Sequence, residues 1–350
     1  MTLLSNQSLP KLSDWVATFN YDRSALEPRI VHLGLGNFHR AHQAFYTELA
    51  MNTEGIQWGI VGASIRSPRM RDRLKPQDYL YTLVERSKAG YQCRVVGALV
   101  DVLVAPENPP ELVKAMAAPC VEIITLTITE KGYCQDSAKG ELDLNHPDIR
   151  ADLSALHSPR SAIGFLVSAA RVRMESERPG FTALSCDNLP ANGRLLEASV
   201  LTLAQEVSPE LADWISHNVS FPCSMVDRIV PAGAPEDQGW VAERLGLIDA
   251  APVITEPFSQ WVIEDDFVAG RPAWDKVGVE LVHDVEIYEL MKLRMLNGAH
   301  SLLAYLGYLA GFEYVDQAMT ESAFVGLLEL YHKREAGETL KPPEGFDLAA

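Results

Sequence analysis

The stretch "IVHLGLGNFHRAHQAFYTE", residues 30–48, decides the fold. Its first six residues are almost wholly apolar and contain a glycine near their end, which predicts a short buried strand. The residues that follow predict a helix. A glycine turn between a strand and a helix lets a pyrophosphate approach the backbone, and the helix N-terminus stabilises its charge. The candidate cofactor-binding residues in this turn are Gly34, Gly36, Asn37, Phe38 and Arg40.

The glycine pattern of this turn is incomplete. In the G-x-G-x-x-G fingerprint the third glycine would fall on His39. The stretch therefore fits either a dinucleotide loop or an ordinary tight turn. His39 and His42 also have the spacing of a metal pair on one helix face, but no third ligand accompanies them, and we predict no metal site.

Further apolar stretches extend the pattern to a whole α/β fold. Residues 58–64, 121–130 and 180–188 each predict a buried strand, and helical stretches separate them. This alternation is typical of a parallel sheet. From residue 288 onward the sequence is helical. We therefore predict a Rossmann-type cofactor-binding domain at residues 1–285 and the start of a mainly helical substrate and catalytic domain at residues 286–350.

The composition excludes several classes of partner. The net charge of −17 and the pI of about 4.9 disfavour nucleic acid and anionic membranes, which leaves a small molecule as the expected partner. No basic leader and no apolar stretch of membrane-spanning length is present, and the five cysteines form no CxxC pair. These features predict a cytoplasmic protein with free thiols, present as a monomer or weak oligomer.

Two arginines follow the predicted strand 58–64. An acid at this place normally binds the adenosine ribose, but the segment "SIRSPR" contains none. Arg66 and Arg69 either meet a 2′-phosphate, which would favour or tolerate NADP, or form a solvated basic loop. The cofactor prediction is therefore NAD or NADP.

Polar residues also follow the other predicted strands. Glu130 ends the stretch "TITE", and Asp187 and Asn188 end the stretch "SCDN". Ligands of open α/β sheets bind at the carboxyl ends of strands, although such residues also serve as helix caps and turn formers. Asp227 and Arg228 in "SMVDRIVP" fit either a structural ion pair or part of a substrate site, and without further context the pattern favours the ion pair.

The stretch "MKLRMLNGAH", residues 291–300, places polar residues among leucines and methionines. On an ideal α-helix Asn297 lies about 140° and His300 about 80° from Lys292, so all three share one arc. A desolvated lysine has a lowered pKa and can take a proton from an alcohol, while an amide can stabilise the resulting oxyanion. The alternative is a core helix in which the lysine extends to solvent.

Six segments together resemble the mannitol dehydrogenase family, the polyol-specific long-chain dehydrogenases. They are "IVHLGLGNFHRAHQAFYTE", "LTITEKGYC", "SCDNLPANG", "FPCSMVDRIVP", "EPFSQWVIEDDFVAGRPAW" and "MKLRMLNGAHSLLAYLGYLAG". The resemblance implies a Rossmann-type domain followed by a mostly helical one, an active site between them, and zinc-independent oxidation of a secondary alcohol on a polyol or sugar acid.

The resemblance also implies roles for single residues. Lys292 is matched to the general base, and Asn297 and Asn188 are matched to the oxyanion hole. His300 is matched to the histidine that orients the substrate. Glu130 is matched to a residue tied to proton release, and Asp227 to one that lines the substrate and cofactor region.

Two departures from the family pattern shape the functional expectation. Pro68 and Arg69 stand where NAD-dependent mannitol dehydrogenases commonly have acids. Family members also continue beyond residue 350, which leads us to expect a truncated helical domain, lower stability and weak or absent activity. Mannitol and fructose are the first substrate pair, and mannonate and fructuronate, the pair of the fructuronate reductases, are the alternative. A further alternative is an inactive remnant that binds only dinucleotide.

Overall fold

The computed structural model describes residues 1–55, 57–136 and 139–341, and it separates the chain into two compact units. The first unit comprises residues 1–282, and the second begins at His283. The strands, all in the first unit, are β1 (Thr2–Leu3), β2 (Glu27–Leu33), β3 (Trp58–Ser64), β4 (Tyr81–Ser87), β5 (Gly90–Val96), β6 (Leu99–Val104), β7 (Ile123–Leu126), β8 (Gln135–Asp136), β9 (Glu141–Leu142), β10 (Thr182–Ser185), β11 (Ser224–Asp227), β12 (Leu247–Ile248), β13 (Val253–Thr255), β14 (Gln260–Glu264) and β15 (Glu280–Val282).

The helices divide between the two units. The α-helices of the first unit are α1 (Asn37–Ala41), α2 (Gln43–Glu54), α3 (Arg69–Leu74), α4 (Pro109–Met116), α5 (Pro147–Ser154), α6 (Ala162–Glu175), α7 (Asn192–Val207), α8 (Pro209–Asn218) and α9 (Pro235–Leu245). Those of the second unit are α10 (Glu286–Met291), α11 (Gly298–Leu309), α12 (Val315–Ala318) and α13 (Ser322–Tyr331). Two π-helical segments, Lys292–Asn297 and His332–Ala336, follow α10 and α13.

A five-stranded parallel sheet organises the first unit, in the order β10-β7-β2-β3-β6. The chain builds outward from β2 to one edge through β3 and β6, and to the other edge through β7 and β10. This is the Rossmann strand order, and its topological switch point lies between β2 and β7. The predicted α/β class with a Rossmann-type domain and a helical C-terminal unit is confirmed.

Both faces of this sheet are buried. The neighbouring residues Ile30 and Val31 of β2 are fully buried in two different hydrophobic clusters, because successive side chains of a strand point to opposite faces. The cluster around Val31 includes Phe165 of α6. The cluster around Ile30 includes Met51 of α2 and the indole of Trp261. Burial on both faces explains why the strand sequences are continuous apolar runs.

Three predicted elements differ in extent from the observed ones. The strand predicted at residues 121–130 covers only Ile123–Leu126, because the amides of Ile128 and Thr129 donate to the Asp187 carboxylate instead of a neighbouring strand. The strand predicted at 180–188 covers Thr182–Ser185. The helix predicted after Gly36 breaks at His42, whose backbone adopts φ −122° and ψ −88°.

The second unit, described from His283 to Lys341, consists of helical segments joined by short turns. A small apolar cluster of Ala299 and Leu303 on α11 and Leu328 on α13 holds these two helices together. Among the described residues, no helix combines the length and the apolar character that crossing a membrane requires.

Candidate functional site

A cavity of about 1310 Å³ opens at the carboxyl ends of the parallel strands in the first unit. Gly34 and Leu35, which follow β2, line it beside Thr127, which follows β7, and Ser64 at the end of β3. The start of α6 and the start of α9 complete its wall. The cavity therefore lies at the topological switch point, where open α/β sheets bind their ligands.

The cavity is basic although the chain is acidic. Of the residues that the structure describes, two carboxylates line it, those of Asp148 and Asp237. Six described cationic side chains line it, those of Arg40, Arg66, Arg69, Arg73, Lys131 and Arg160. In a chain with a net charge of −17 this local excess of positive charge selects for an anionic ligand.

Gly34 and Gly36 serve different purposes. Gly34 has φ +98°, and a Cβ there would lie 2.1 Å from the backbone oxygen of Thr127, so the fold itself requires glycine. Gly36 has φ −123°, and the nearest atom to its ideal Cβ is the Gly34 oxygen at 3.7 Å. Gly36 does not itself line the cavity, but its neighbours Leu35 and Asn37 do. Since the fold tolerates a side chain at position 36, we expect the space left by glycine to be available to a ligand.

The other predicted residues of this turn do not all face the cavity. Asn37 and Arg40 line it, but the Arg40 guanidinium is buried and donates to the Asn37 side-chain oxygen at 2.8 Å and to the backbone oxygen of Ala251. Burial lowers the pKa of Arg40 to about 10. Phe38 is outside the cavity lining and stacks on His42, with ring centroids 5.0 Å apart. Arg40 therefore joins the loop to the fold, and Phe38, which is partly buried, packs against the hydrophobic core.

His39 explains the missing third glycine. Its ring is fully buried and stacks on the ring of His32 in β2, with centroids 3.5 Å apart and planes at 14°. In most fingerprints a glycine lets the helix pack closely on the strand at this position. Here a stacked pair of imidazoles fills that place, and the helix breaks shortly afterwards.

The hydrogen bonds of His32 fix its tautomer. Thr127 donates its hydroxyl proton to the Gly34 oxygen at 3.0 Å, so it accepts from His32 Nε2 at 2.9 Å. His32 Nδ1 then accepts from the Thr125 hydroxyl at 2.8 Å. Burial lowers the pKa of His32 to about 3 and holds the pKa of His39 well below its usual range. The neutral His32 is thus connected to the glycine turn through the Thr127 hydroxyl, which donates to the Gly34 oxygen.

Histidine pairing does not amount to a metal site in the described part of the chain. His42 Nε2 donates to the backbone oxygen of Gln260 at 2.9 Å, and the helix break at His42 separates it from the helix of His39. Among residues 1–55, 57–136 and 139–341 no group of three His, Cys, Asp or Glu side chains is placed to hold a metal ion. The five cysteines are free thiols.

The arginines after β3 divide into two sets. Arg66 and Arg69 are exposed and line the cavity, and their side chains form no hydrogen bond or ion pair with another described residue. Arg71 points elsewhere and pairs with Asp72 and Glu107. Arg73, which the sequence reasoning missed, lines the cavity one helical turn after Arg69. The i, i+4 spacing of these two arginines is a signal from which it could have been identified.

The remaining predicted residues of the first unit follow three different strands. Glu130 is exposed at the start of a 3₁₀ turn after β7, and Asn188 is exposed after β10. Asp227 is half-buried at the end of β11. None of these three lines the cavity.

Arg228 is a structural residue, as its pattern suggested. It is buried, donates to the backbone oxygen of Ala41 at 2.6 Å and pairs with Glu85. Its guanidinium lies over the Phe45 ring, 4.9 Å from the centroid.

In the second unit the residues of the predicted arc lie on and beside a π-helix. Residues Lys292–Asn297 are π-helical, so the assumption of an ideal α-helix was wrong. A π-helix closes its hydrogen bonds between residues five apart. Lys292 and Asn297 are five apart and therefore lie closer together on one face than an α-helix would place them. Both are half-buried, whereas His300 on α11 is exposed.

Contacts from α13 accommodate this π-helix. The Tyr331 hydroxyl donates to the Arg294 backbone oxygen at 2.5 Å, and the His332 ring contacts the Met295 oxygen at 3.2 Å. A Cβ on Gly298 would lie 2.1 Å from the Tyr331 hydroxyl oxygen, so glycine is needed there for the ring to reach. Short π-segments within helices are frequent at functional sites.

The comparisons with known proteins agree with this architecture. The model of the mannitol dehydrogenase Rossmann domain matches residues 28–276, and that of the mannitol dehydrogenase C-terminal domain matches residues 284–350. D-mannonate oxidoreductase of Escherichia coli is 46% identical over all of this chain and 72% of its own length. Mannitol 2-dehydrogenase of Cereibacter sphaeroides is 45% identical over 92% of this chain and 67% of its own length.

A solved structure agrees as well. Mannitol 2-dehydrogenase of Pseudomonas fluorescens, in a ternary complex with NAD and D-mannitol, superposes with a TM-score of 0.91 at 42% identity, over 99% of this chain and 72% of that chain. The family predicted from six sequence segments is thus confirmed, and the chain belongs to the mannitol dehydrogenase family of oxidoreductases.

Proposed function

We propose that this protein is a zinc-independent NAD(P)-dependent dehydrogenase that interconverts a secondary hydroxyl of a polyol or sugar acid and the C2 ketone of the corresponding ketose or keto acid. The observation that carries the proposal is the basic cavity at the switch point of an acidic, family-matched chain. An anionic dinucleotide matches both the place and the charge of this cavity.

The residues around the glycine turn suit a dinucleotide. Gly36 leaves open space beside the backbone, and no side chain caps α1, so its first amides are available to a pyrophosphate. The buried Arg40 braces the turn through Asn37. A bound nicotinamide supplies the acceptor or donor of hydride.

Arg66 and Arg69 support acceptance of the phosphorylated cofactor. Their guanidinium groups line the cavity after β3, where the adenosine ribose binds in Rossmann domains, and no acid stands beside them in "SIRSPR". An arginine fork complements a 2′-phosphate, whereas an acid would repel it. We therefore propose that the enzyme uses NADP as well as NAD.

We assign the proton chemistry to Lys292 and the amides. Lys292 takes the hydroxyl proton when hydride leaves the oxidised carbon, because a half-buried amine loses part of the hydration that favours its ammonium form. Asn297, five residues along the same π-helix, and Asn188 donate hydrogen bonds to the alkoxide-like oxygen. His300 orients the substrate.

Glu130 and Asp227 complete the assignment. We propose that the exposed Glu130 releases the proton to solvent and that Asp227 contacts the polar end of the substrate. Glu130 follows β7 and Asp227 ends β11. We propose that both act in a cytoplasmic enzyme that is a monomer or weak oligomer.

The first substrate pair is mannitol and fructose, and the second is mannonate and fructuronate. The second pair is favoured by one specific observation, the 46% identity to a D-mannonate oxidoreductase over the whole chain. The two pairs differ at the end of the carbon chain far from the oxidised carbon, which is a neutral hydroxymethyl in mannitol and fructose and a carboxylate in mannonate and fructuronate. The basic character of the cavity does not separate them, because the dinucleotide accounts for it.

The test is a substrate panel with both cofactors, preceded by fluorescence titration with NADH. We expect NAD(P)-dependent oxidation of mannitol or mannonate and a Lys292→Ala variant whose kcat falls by about 100-fold or more, since acid–base groups contribute about 10²–10⁴. Lys333→Ala is the matched control, because Lys333 lies in the other π-segment and is exposed. Dinucleotide binding without turnover of any panel substrate, or a Lys292→Ala variant with wild-type kcat, would overturn the proposal.

A further inference from the structure

Thr129 has a backbone conformation that side chains normally avoid. Its φ is +63° and its ψ is 167°, a region that glycine occupies almost alone. Threonine is branched at Cβ, which makes this conformation still less favourable. Such a residue persists only when its surroundings hold it, and residues of this kind cluster at functional sites. Thr129 also lines the cavity.

The carboxylate of Asp187 holds this conformation. Its Oδ1 accepts from the Thr129 amide at 2.8 Å, and its Oδ2 accepts from the Ile128 amide at 3.0 Å and the Tyr133 hydroxyl at 2.9 Å. The Tyr133 hydroxyl also contacts the Ser185 hydroxyl at 2.5 Å. Asp187 is buried, with 8% of its surface exposed, so these hydrogen bonds are shielded from water. Three donors from one short loop thus converge on one buried carboxyl.

The same carboxyl lies between two of the proposed functional residues. Glu130 directly follows Thr129, and Asn188 directly follows Asp187. Burial raises the pKa of Asp187, and the three hydrogen-bond donors partly lower it again. The negative charge of Glu130 is close enough to raise the pKa of Asp187 further. Any movement of the Asp187 carboxyl would therefore move the backbone of both neighbours.

Asn192 extends this frame to a third strand. Its side-chain amide donates to the Asp187 backbone oxygen at 2.9 Å and to the Ser224 oxygen at 2.8 Å, and it accepts from the Ser224 amide at 2.9 Å. Ser224 begins β11, the strand that ends at Asp227. The backbone next to Glu130 and Asn188 is thus joined by one continuous set of hydrogen bonds to the first residue of the strand that ends at Asp227.

We infer that Asp187 is a positioning residue: it holds Thr129 in its strained conformation and so fixes Glu130 and Asn188 relative to each other for catalysis. This inference rests on the proposed function. It assigns Asp187 no contact with substrate or cofactor. Its effect on the reaction passes through the backbone of its two neighbours.

A double-mutant cycle tests the inference. Asp187→Asn keeps the size of the side chain but turns an amide donor toward one of the backbone amides. We expect kcat to fall by about 10- to 100-fold, which is the rate factor that corresponds to the strain energy of one residue in such a conformation. KM should change little. Glycine adopts positive φ without strain, so in Thr129→Gly the conformation of residue 129 no longer depends on the hydrogen bond to Asp187. The Asp187→Asn effect on kcat should therefore be about tenfold smaller when residue 129 is glycine.

Glu48→Gln is the matched control. Glu48 is another buried carboxyl that accepts from a tyrosine hydroxyl, that of Tyr21 at 2.6 Å, and from a backbone amide, that of Gly97 at 2.9 Å. None of these three residues lines the cavity. Its substitution should lower the melting temperature as Asp187→Asn does, and it should leave kcat within about twofold of wild type, since independent sites do not couple.

The outcomes separate this inference from the proposed function. A wild-type protein without turnover overturns the proposed function and this inference with it. An active wild type overturns the inference alone if Asp187→Asn has wild-type kcat, or if its effect on kcat is the same in the wild-type and Thr129→Gly backgrounds. If Asp187→Asn does not fold, the melting temperature of Thr129→Gly decides: a rise supports the strain, and a fall of several degrees overturns it.

Discussion

Substituting alanine separately at the two glycines of the turn after β2 should separate folding from binding. At Gly34 the added Cβ meets the Thr127 backbone oxygen at 2.1 Å, and φ is +98°. The left-handed conformation alone costs an L-residue about 1–2 kcal/mol, and the contact is with backbone of the neighbouring strand, which cannot yield easily. We expect Gly34→Ala to lower the free energy of unfolding of the first unit by at least about 2 kcal/mol.

Gly36→Ala should leave the fold intact and weaken dinucleotide binding. The residue has φ −123° and ψ −168°, which any amino acid adopts, and its ideal Cβ lies 3.7 Å from the nearest atom. Removing glycine can even stabilise the fold by about 0.4–1 kcal/mol, because the unfolded chain loses freedom. A methyl group in the path of a pyrophosphate costs about 1–3 kcal/mol, which is roughly 5- to 150-fold in Kd.

Two assays suffice for this comparison. Thermal and urea unfolding measure the stability of both variants against wild type, and NADH fluorescence titration measures Kd. The reasoning is refuted if Gly36→Ala binds NADH as tightly as wild type, or if Gly34→Ala unfolds like wild type. A Gly36→Ala variant that loses stability instead of affinity would also contradict it.

Two further predictions concern the exposed arginines of the cavity and the buried, neutral His39. The double variant Arg66→Ala/Arg69→Ala should raise KM for NADP about tenfold or more, with a much smaller change in KM for NAD. The control Arg71→Ala removes an arginine that pairs with surface carboxylates, and it should leave the ratio of the two KM values unchanged. Equal effects of the double variant on both cofactors would exclude a 2′-phosphate site. The pKa of His39 lies well below its value of about 6.5 in the unfolded chain, so the unfolded state takes up a proton first as the pH falls. The free energy of unfolding should therefore decrease below about pH 6.5, by at most about 1.4 kcal/mol per pH unit from this group. His39→Phe retains an aromatic ring on His32 and should reduce this slope in urea unfolding between pH 6.5 and 5; an unchanged slope would show that His39 does not contribute.

Part of the fold and site was predictable because the information is local. The boundaries of β3 and the glycine turn after β2 follow from short apolar runs and one strand–turn–helix pattern. The two predicted cofactor residues Gly34 and Gly36 could be read in the same way. Their separate roles could not, because the clash at Gly34 depends on Thr127, a residue 93 positions away.

Other features depend on contacts distant in sequence. The π-helix at Lys292–Asn297 has the apolar pattern of an α-helix, and the contacts that accommodate it come from Tyr331 and His332. The strand predicted to reach Glu130 stops early because the Asp187 carboxylate accepts from the backbone amides of Ile128 and Thr129. Asp187 lies 58 residues after Thr129 in the sequence. A carboxylate that accepts hydrogen bonds from a loop distant in sequence leaves no periodic signal, so the sequence indicated a turn former there.

Transfer of deuterium from the oxidised carbon of the substrate to the nicotinamide tests the central claim most directly. Mannitol deuterated at its equivalent carbons C2 and C5, and mannonate deuterated at C5, the carbon that becomes the ketone of fructuronate, are each incubated with the protein and with NAD or NADP, and the reduced cofactor is analysed by mass spectrometry. The account predicts that one of these substrates gives reduced cofactor carrying one deuterium, formed far more slowly by Lys292→Ala. Reduced cofactor without deuterium, or no reduced cofactor from either substrate while NADH still binds, would contradict it.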